Sequence, residues 1–184
     1  MSFRRRYAGV VTVSGICIFV VATASFVLPP NAAEAWRLLR TADPRGGNDH
    51  ASMSAIADMT RSDLDLAGLM LQCDAGRHDS AVAAQNPTGA EVVIVAVTPF
   101  PPRAKPSVAI SADGKEWHFE ATVVVPGAEL LLPVEAANLA AGPWQSAHEL
   151  AIKVSVQDRS FGGVIPIDGL AGALATLAAN CPAN

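Results

Sequence analysis

The chain has 184 residues, of which 51% are hydrophobic, 16% charged and 5% aromatic. Its 13 basic and 17 acidic residues give a net charge of −4, and its mean hydropathy is +0.31. This length suits one domain with a hydrophobic core, and the hydropathy excludes a disordered chain. Because there is no basic excess to meet a phosphate backbone, we do not expect nucleic-acid binding.

The first 35 residues have the pattern of a secretory signal peptide. Three consecutive arginines (4–6) precede an uncharged stretch over 8–28, which two prolines end. An A-x-A pattern then places a cleavage site directly after Ala35. We therefore predict that residues 1–35 are removed and that the protein is periplasmic or secreted.

An uncleaved membrane anchor is the alternative, because about 20 apolar residues suffice to span a bilayer. A lipoprotein is disfavoured, since Ile16 rather than a small residue precedes Cys17. Cleavage after Ala35 would remove three arginines and one glutamate and leave 149 residues with a net charge near −6. The two remaining cysteines, Cys73 and Cys181, favour one disulfide in an oxidising compartment, and a pair of buried free thiols is the alternative.

Beyond the signal, residues 36–62 are polar and rich in turn-forming residues. We expect an irregular N-terminal segment there, a leading strand or short helix followed by a long loop. The β-domain proper is expected over 63–184. In its first strand, 63–73, apolar and polar residues alternate, and Cys73 faces inward. Residues 91–98 are a continuous run of Val, Ile and Ala, which is typical of a strand buried on both faces.

The clearest local signal is a hairpin around Asp113 and Gly114, a dipeptide that supplies the positive φ angles of a tight turn. Its arms are 108–111 and 115–125, and the second arm alternates between a core face and a solvent face. Beyond it we expect a short strand, one or two helical turns and another alternating strand, over 129–132, 134–141 and 148–157.

The end of the chain changes to helical periodicity. Asp168 is a candidate N-cap for a helix over 169–180, whose apolar stripe is in phase with Cys181. A bond from Cys181 to Cys73 would pin this helix onto the sheet. The predicted fold is therefore mainly β, an antiparallel β-sandwich with a C-terminal α-helix joined to the sheet by one disulfide.

The last segment combines an aromatic residue, a Gly-Leu step and a predicted helix that ends at a cysteine. The residues that carry this pattern are Phe161, Ile167, Gly169, Leu170, Ala173, Leu174, Leu177 and Cys181. It resembles the closing motif of small exported proteobacterial proteins, the invasion-associated locus B family and the VasI accessory proteins of type VI secretion. The resemblance implies the same sandwich, one disulfide and a non-catalytic role in the cell envelope. Gly162, Gly163 and Pro166 interrupt a region where those families have a plain strand, so a separate family of the same architecture is the alternative.

The sequence contains few signs of catalytic chemistry. The four histidines lack the spacing of a zinc site, and the pair Asp63 and Asp65 lacks the other ligands of a calcium loop. No G-x-S-x-G motif presents a serine nucleophile, and a disulfide would consume the thiolate of Cys73. We predict no catalytic residues, no metal and no cofactor, with a small periplasmic hydrolase or metal-dependent enzyme as the alternative.

The proline-rich segment 99–106 is the candidate partner-contact loop. It contains Phe100, Arg103 and Lys105, and Trp144 lies in a second predicted loop. Recognition concentrates in loops on a rigid scaffold, although a plain connection, or for Trp144 a contact over the core edge, is the alternative. We predict a binding module with a protein partner in the cell envelope. A further alternative is an inner-membrane-anchored accessory subunit, the one case in which we expect contact with the membrane.

Overall fold

The computed structural model describes residues 35–41, 50–73, 89–101, 103–124 and 127–181. The predicted signal peptide lies outside this set apart from Ala35, so its cleavage stays a prediction. In the described ranges, no helix is both long enough and apolar enough to cross a bilayer.

Within these ranges, ten strands form two antiparallel sheets. The strands are β1 (Trp36–Thr41), β2 (His50–Ile56), β3 (Leu66–Cys73), β4 (Ala90–Ala96), β5 (Ser107–Ala112), β6 (Lys115–Glu120), β7 (Thr122–Val124), β8 (Glu129–Leu131), β9 (Glu149–Val156) and β10 (Arg159–Pro166). The larger sheet has the order β1-β2-β3-β4-β8-β7 and the smaller one β10-β9-β5-β6. Helix α1 (Val134–Ala140), a short 3-10 helix (Pro143–Ser146) and helix α2 (Leu170–Asn180) complete the fold.

Side chains that alternate along the strands fill the core between the sheets. In β9, Leu150, Ile152 and Val154 are buried while their neighbours Ala151 and Lys153 are exposed. β4 is different because three successive residues, Val92 to Ile94, are all buried, as expected for a continuous apolar run. Each buried aliphatic side chain of this size contributes about 1.5–3 kcal/mol, so these strands supply much of the stability.

Helix α2 packs on the larger sheet, where it contacts β1 to β4. Its buried face contains Leu170, Ala173 and Leu177. A disulfide joins Cys181, directly after the helix, to Cys73 at the end of β3, with 5.7 Å between the two Cα atoms. The predicted antiparallel sandwich, terminal helix and disulfide are therefore confirmed.

Two expectations about element boundaries are wrong. Residues 36–62 are not irregular, because they contain β1 and β2, which pair in register from Trp36 with Ala55 to Thr41 with His50. The predicted loop over 42–49 lies outside the described residues. The N-cap residue of α2 is Gly169, which has a left-handed conformation with a φ of 80°. The expected N-cap, Asp168, makes no cap hydrogen bond with its carboxylate.

Two further differences concern strands. The expected single arm over 115–125 is divided at Ala121, so that β6 belongs to the smaller sheet and β7 to the larger one. Residues 159–166, which Gly162, Gly163 and Pro166 were expected to interrupt, form the regular strand β10, and all eight of its residues pair with β9. β10 is one edge of the smaller sheet, and the contacts of its glycines explain their presence.

Candidate interaction surface

The predicted contact residues do not share one exposed surface. Phe100 is 5% exposed and packs 6.0 Å from the ring of Phe161, and Trp144 is 0% exposed and meets Trp117 edge-on at 6.1 Å. The prediction that Phe100 and Trp144 contact a partner is therefore wrong, because both rings belong to the core. For Trp144 this agrees with the alternative of a core contact.

The two cations of the predicted loop, Arg103 and Lys105, are exposed. Lys105 Nζ lies 2.9 Å from a carboxylate oxygen of Glu120 on the neighbouring strand β6, and both side chains are largely in water. Ion pairs at this exposure contribute at most about 1 kcal/mol. Phe100 is instead fixed by its backbone, whose N–H donates to the carbonyl of Gly127 at 2.7 Å. The loop is thus anchored by its aromatic residue, while Arg103 and Lys105 face solvent together with Pro99 and Pro101.

The connection between β2 and β3, residues 57–65, lies along the outer edge of β10, and we call it the edge-covering segment. Backbone N–H groups of Asp58 and Asp63 donate to the carbonyls of Val164 and Gly162, both at 2.8 Å. In return, the N–H of Val164 donates to Ser62 Oγ at 2.9 Å and that of Gly162 to a carboxylate oxygen of Asp63 at 2.8 Å. An uncovered edge strand offers unpaired groups to other chains. The segment removes that exposure from β10.

The two glycines of β10 lie where a Cβ would collide with neighbouring parts of the chain. A Cβ on Gly163 would lie 2.1 Å from Ser62 Oγ and 2.6 Å from Ser62 Cα, and one on Gly162 would lie 2.4 Å from the carbonyl oxygen of Ile152. No side chain fits at either distance without displacement of backbone. Gly163 therefore serves the contact between the segment and β10, and Gly162 serves the close pairing of β10 with β9.

Four large hydrophobic side chains are exposed at one end of the larger sheet, and we call this group the apolar end. Ile56 is the last residue of β2, Val97 directly follows β4, and Met59 and Leu64 belong to the edge-covering segment. Their exposed fractions run from 55% for Ile56 to 78% for Leu64. The N–H of Val97 donates to the carbonyl of Asp65 at 2.9 Å, which holds the ends of β3 and β4 together.

Ion pairs border the apolar end. Arg61 bridges Asp58 at 2.8 Å and Glu149 at 2.7 Å, which links the edge-covering segment to β9. Hydrogen bonds from Thr60 and then Arg61 lower the pKa of the Asp58 carboxyl to about 2, and the carboxylates of Glu149 and Asp58 raise the pKa of the Arg61 guanidinium. Exposed apolar groups with a charged border are typical of protein interaction sites.

The feature that most favours an enzyme is a cleft of about 420 Å³ beside the β5–β6 turn. Its lining includes Ser111, Asp113, His148 and Glu149. His148 Nδ1 lies 2.6 Å from a carboxylate oxygen of Asp168, and this contact raises the pKa of the imidazole. The cleft therefore brings together the residue types of a Ser-His-Asp triad, which the sequence did not indicate because they come from three distant stretches.

The geometry within this cleft is not that of a triad. Ser111 lies within β5 and pairs with Glu116 on one side and Ala151 on the other, so it is in regular strand rather than a sharp turn. Among the described side chains, no hydrogen bond joins its hydroxyl to His148, the contact by which a base activates a serine. The side chain of His148 is 87% exposed, which leaves it in water rather than in a closed site.

In the part of the chain that the structure describes, no group of three or more His, Cys, Asp or Glu side chains is placed to hold a metal ion. Comparison of the chain with protein-family models, with characterised proteins and with solved structures finds no match. The resemblance to the invasion-associated locus B and VasI proteins therefore stays a prediction.

Proposed function

We propose that this protein is an exported, non-catalytic interaction module of the cell envelope whose protein partner covers the apolar end. The observation that carries the proposal is the collection of Ile56, Met59, Leu64 and Val97 at one end of the sheet, each more than half exposed. Apolar side chains are costly to leave in water, and covering them is the main source of affinity in protein association. The bordering ion pairs fix the segment that presents two of them.

The disulfide supports export. Disulfides persist in secreted and periplasmic proteins and are rare where thiols are kept reduced. Together with the signal-like pattern of residues 1–35, the bond between Cys73 and Cys181 supports a periplasmic or secreted protein cleaved near Ala35. The mass of the exported protein tests this directly, since cleavage there gives a chain that begins at Trp36, and retention of residues 1–35 would contradict it.

Substitutions at the apolar end test the binding role. Met59→Gln keeps the length of the side chain and Leu64→Ser shortens it, and both replace apolar surface by polar groups. We expect a partner captured from envelope extract by the wild-type protein to bind this double variant about tenfold more weakly or worse, which corresponds to a loss of about 1.4 kcal/mol. The matched control is Arg103→Ala with Lys105→Ala, which changes exposed cations of the 99–106 loop. Equal capture by the wild type and the apolar-end variant would contradict the proposal.

A small hydrolase is the second candidate, and the contact between His148 and Asp168 is the observation that favours it. Its test is turnover of nitrophenyl acetate and nitrophenyl phosphate by the wild type and by Ser111→Ala. Turnover that is lost in Ser111→Ala would assign a nucleophile to the cleft and replace the non-catalytic proposal. Rates equal to the buffer rate for both proteins would leave the cleft without this activity.

A further inference from the structure

In the described part of the chain, strand β1 lies at an edge of the larger sheet. It pairs with β2 on one side, and among the described residues no strand lies on its other side. The remaining three edges are protected by devices that proteins commonly use. The edge-covering segment blocks β10, β7 is only three residues long, and four of the six side chains of β6 are charged or histidine, namely Lys115, Glu116, His118 and Glu120.

The centre of β1 is apolar rather than guarded. Leu38 is 40% exposed and Leu39 is 48% exposed, one on each face of the strand. An open edge with exposed leucines is a surface to which an extended chain can add as a further strand, with main-chain hydrogen bonds giving affinity. Side chains of such a strand alternate between the two faces of the sheet, so every second one would face helix α2.

A cleft of about 240 Å³ lies on that face, between the strands and α2. Trp36 of β1 and Met53 of β2 line one side, and Gly169, Gly172, Ala173 and Thr176 line the other. A Cβ on Gly172 would meet no atom within 4 Å, so the helix leaves open space at this point. The cleft can therefore receive an apolar side chain from a strand that adds to β1.

Charge identifies the class of partner. Arg37 and Arg40 flank the two leucines, and neither forms an ion pair with a described residue. Arg40 hydrogen-bonds to the side-chain oxygen of Asn180 in α2, which carries no charge. The elements packed beside β1, namely β2 and α2, contain no Asp or Glu to balance these cations. An added strand that carries carboxylates would complement these two cations.

A second copy of this chain fits the edge poorly. Two β1 strands that pair antiparallel with their leucines opposite each other would place Arg37 of one copy opposite Arg40 of the other. Like charges directly across a strand pair are destabilising. An acidic segment in the same place instead gives opposite-charge pairs at both ends of the leucine pair.

We propose that the open edge of β1 and the adjoining cleft bind an extended acidic segment of a partner protein as an added β-strand, with carboxylates beside Arg37 and Arg40 and an apolar side chain in the cleft. This surface is separate from the apolar end. The inference extends the proposed function, and it stands or falls independently of what the apolar end binds.

The test uses the purified protein and a fluorescent seven-residue peptide of Val and Thr with Glu at its third and sixth positions, so that its two carboxylates lie three positions apart, as Arg37 and Arg40 do. The peptide with Lys at both positions is the matched control. We expect anisotropy to report binding of the acidic peptide and not of the basic one. Arg37→Glu should abolish this preference, because one cation and one anion then lie on β1, whereas Arg103→Glu, at an exposed cation elsewhere, should leave it unchanged. Gly172→Leu fills the cleft and should weaken binding by about tenfold, whereas Ala171→Leu on the exposed side of α2 should not.

Backbone pairing is tested by N-methylation of the peptide. Methyl groups on alternate amides block one hydrogen-bonding edge of a strand, so one methylated peptide should lose binding and the peptide methylated on the other set should retain it. Circular dichroism and thermal unfolding of each variant show that the fold is kept.

The inference is overturned if no acidic peptide binds at about 1 mM, a concentration that detects affinities of about 4 kcal/mol. It is also overturned if Arg37→Glu and Gly172→Leu bind as the wild type does, if the wild type dimerises through β1, or if it binds vesicles of anionic phospholipid and no peptide. Met59→Gln with Leu64→Ser should leave peptide binding unchanged. If the acidic peptide does not bind but partner capture depends on the apolar end, only this inference is refuted. If the peptide binds but partner capture does not depend on the apolar end, only the role of the apolar end is refuted.

Discussion

Replacement of Gly163 by alanine should separate the edge-covering segment from β10. The added Cβ would lie 2.1 Å from Ser62 Oγ, 2.2 Å from Ser62 Cβ and 2.6 Å from Ser62 Cα. A new rotamer of Ser62 relieves only the contact with Oγ, because Cα belongs to the backbone. The segment must therefore move away from the strand, or the strand must shift within its sheet.

The cost follows from the contacts that this movement breaks. Hydrogen bonds from Asp58 N–H and Val164 N–H, at 2.8 and 2.9 Å, depend on the present separation of the segment and the strand. Each contributes about 0.5–1.5 kcal/mol, and overpacking that the structure absorbs without breaking them costs about 1–3 kcal/mol. By either route we expect the free energy of unfolding to fall by about 1–3 kcal/mol. For a domain of this size the corresponding fall in Tm is roughly 2–12 °C.

Urea unfolding followed by circular dichroism, with the disulfide intact, measures this change. Gly172→Ala is the matched control, since it makes the same chemical change where the new Cβ meets nothing within 4 Å. Because alanine is a better helix former than glycine, that control should gain up to about 1 kcal/mol. Adding Ser62→Gly to Gly163→Ala removes two of the three colliding atoms and should restore part of the loss. A Gly163→Ala protein within about 0.5 kcal/mol of the wild type would refute this account of the two glycines.

Three further changes test other contacts. Replacing Cys73 and Cys181 by serine opens a link between residues 108 apart, and urea unfolding should show a loss on the order of 4–5 kcal/mol, so an unchanged midpoint would refute the expected gain from loop closure. The contact with Asp168 raises the pKa of His148 above its ordinary value of 6.5, so the stabilisation it gives is complete below that value and is lost as pH rises through the raised pKa. Asp168→Asn should remove this pH dependence from unfolding measured between about pH 6 and 8, and an NMR titration of His148 that is identical in both proteins would contradict the assignment. Trp144→Ala should cost about 3–5 kcal/mol by thermal unfolding, since the side chain is 0% exposed, and a wild-type Tm would show that the ring is not part of the core.

The strands that could be predicted are those whose burial depends on the local pattern. β9 alternates strictly and β4 is continuously apolar, so both were evident from the sequence. The change of sheet at Ala121 was hidden because the inner faces of the two sheets meet the same core, so the alternation continues unchanged as the chain passes from β6 to β7. Periodicity reports which side of a strand is buried and not which sheet the strand joins.

β10 was missed for a different reason. Gly162 and Gly163 disfavour a strand when they are considered alone, because glycine is conformationally free and has no side chain to pack. Their use depends on Ser62, about 100 positions earlier in the chain, and on the carbonyl of Ile152. A requirement set by tertiary contact leaves no local signal in the sequence.

The candidate surfaces were also difficult to predict. The apolar end draws its members from two connections and the end of β2, and Leu64 lies between Asp63 and Asp65, in a stretch that the sequence assigned to the first strand. Phe100 was assigned to solvent because prolines surround it, although an aromatic residue in a chain with few of them has more to gain from the core. Composition indicated a loop correctly around Phe100, but it could not indicate which side chain of the loop turns inward.

The disulfide also imposes an order of events on the assembly of the domain. Strands β4 to β10 all lie between Cys73 and Cys181 in the chain. At the usual pace of synthesis, about 5–20 residues per second, the second cysteine emerges roughly 5–20 s after the first. During that interval Cys73 is a thiol without its partner, and oxidation can close the domain only after both sheets are available to fold. The bond can therefore form only in a chain that has been synthesised as far as Cys181, and not in one interrupted before that residue.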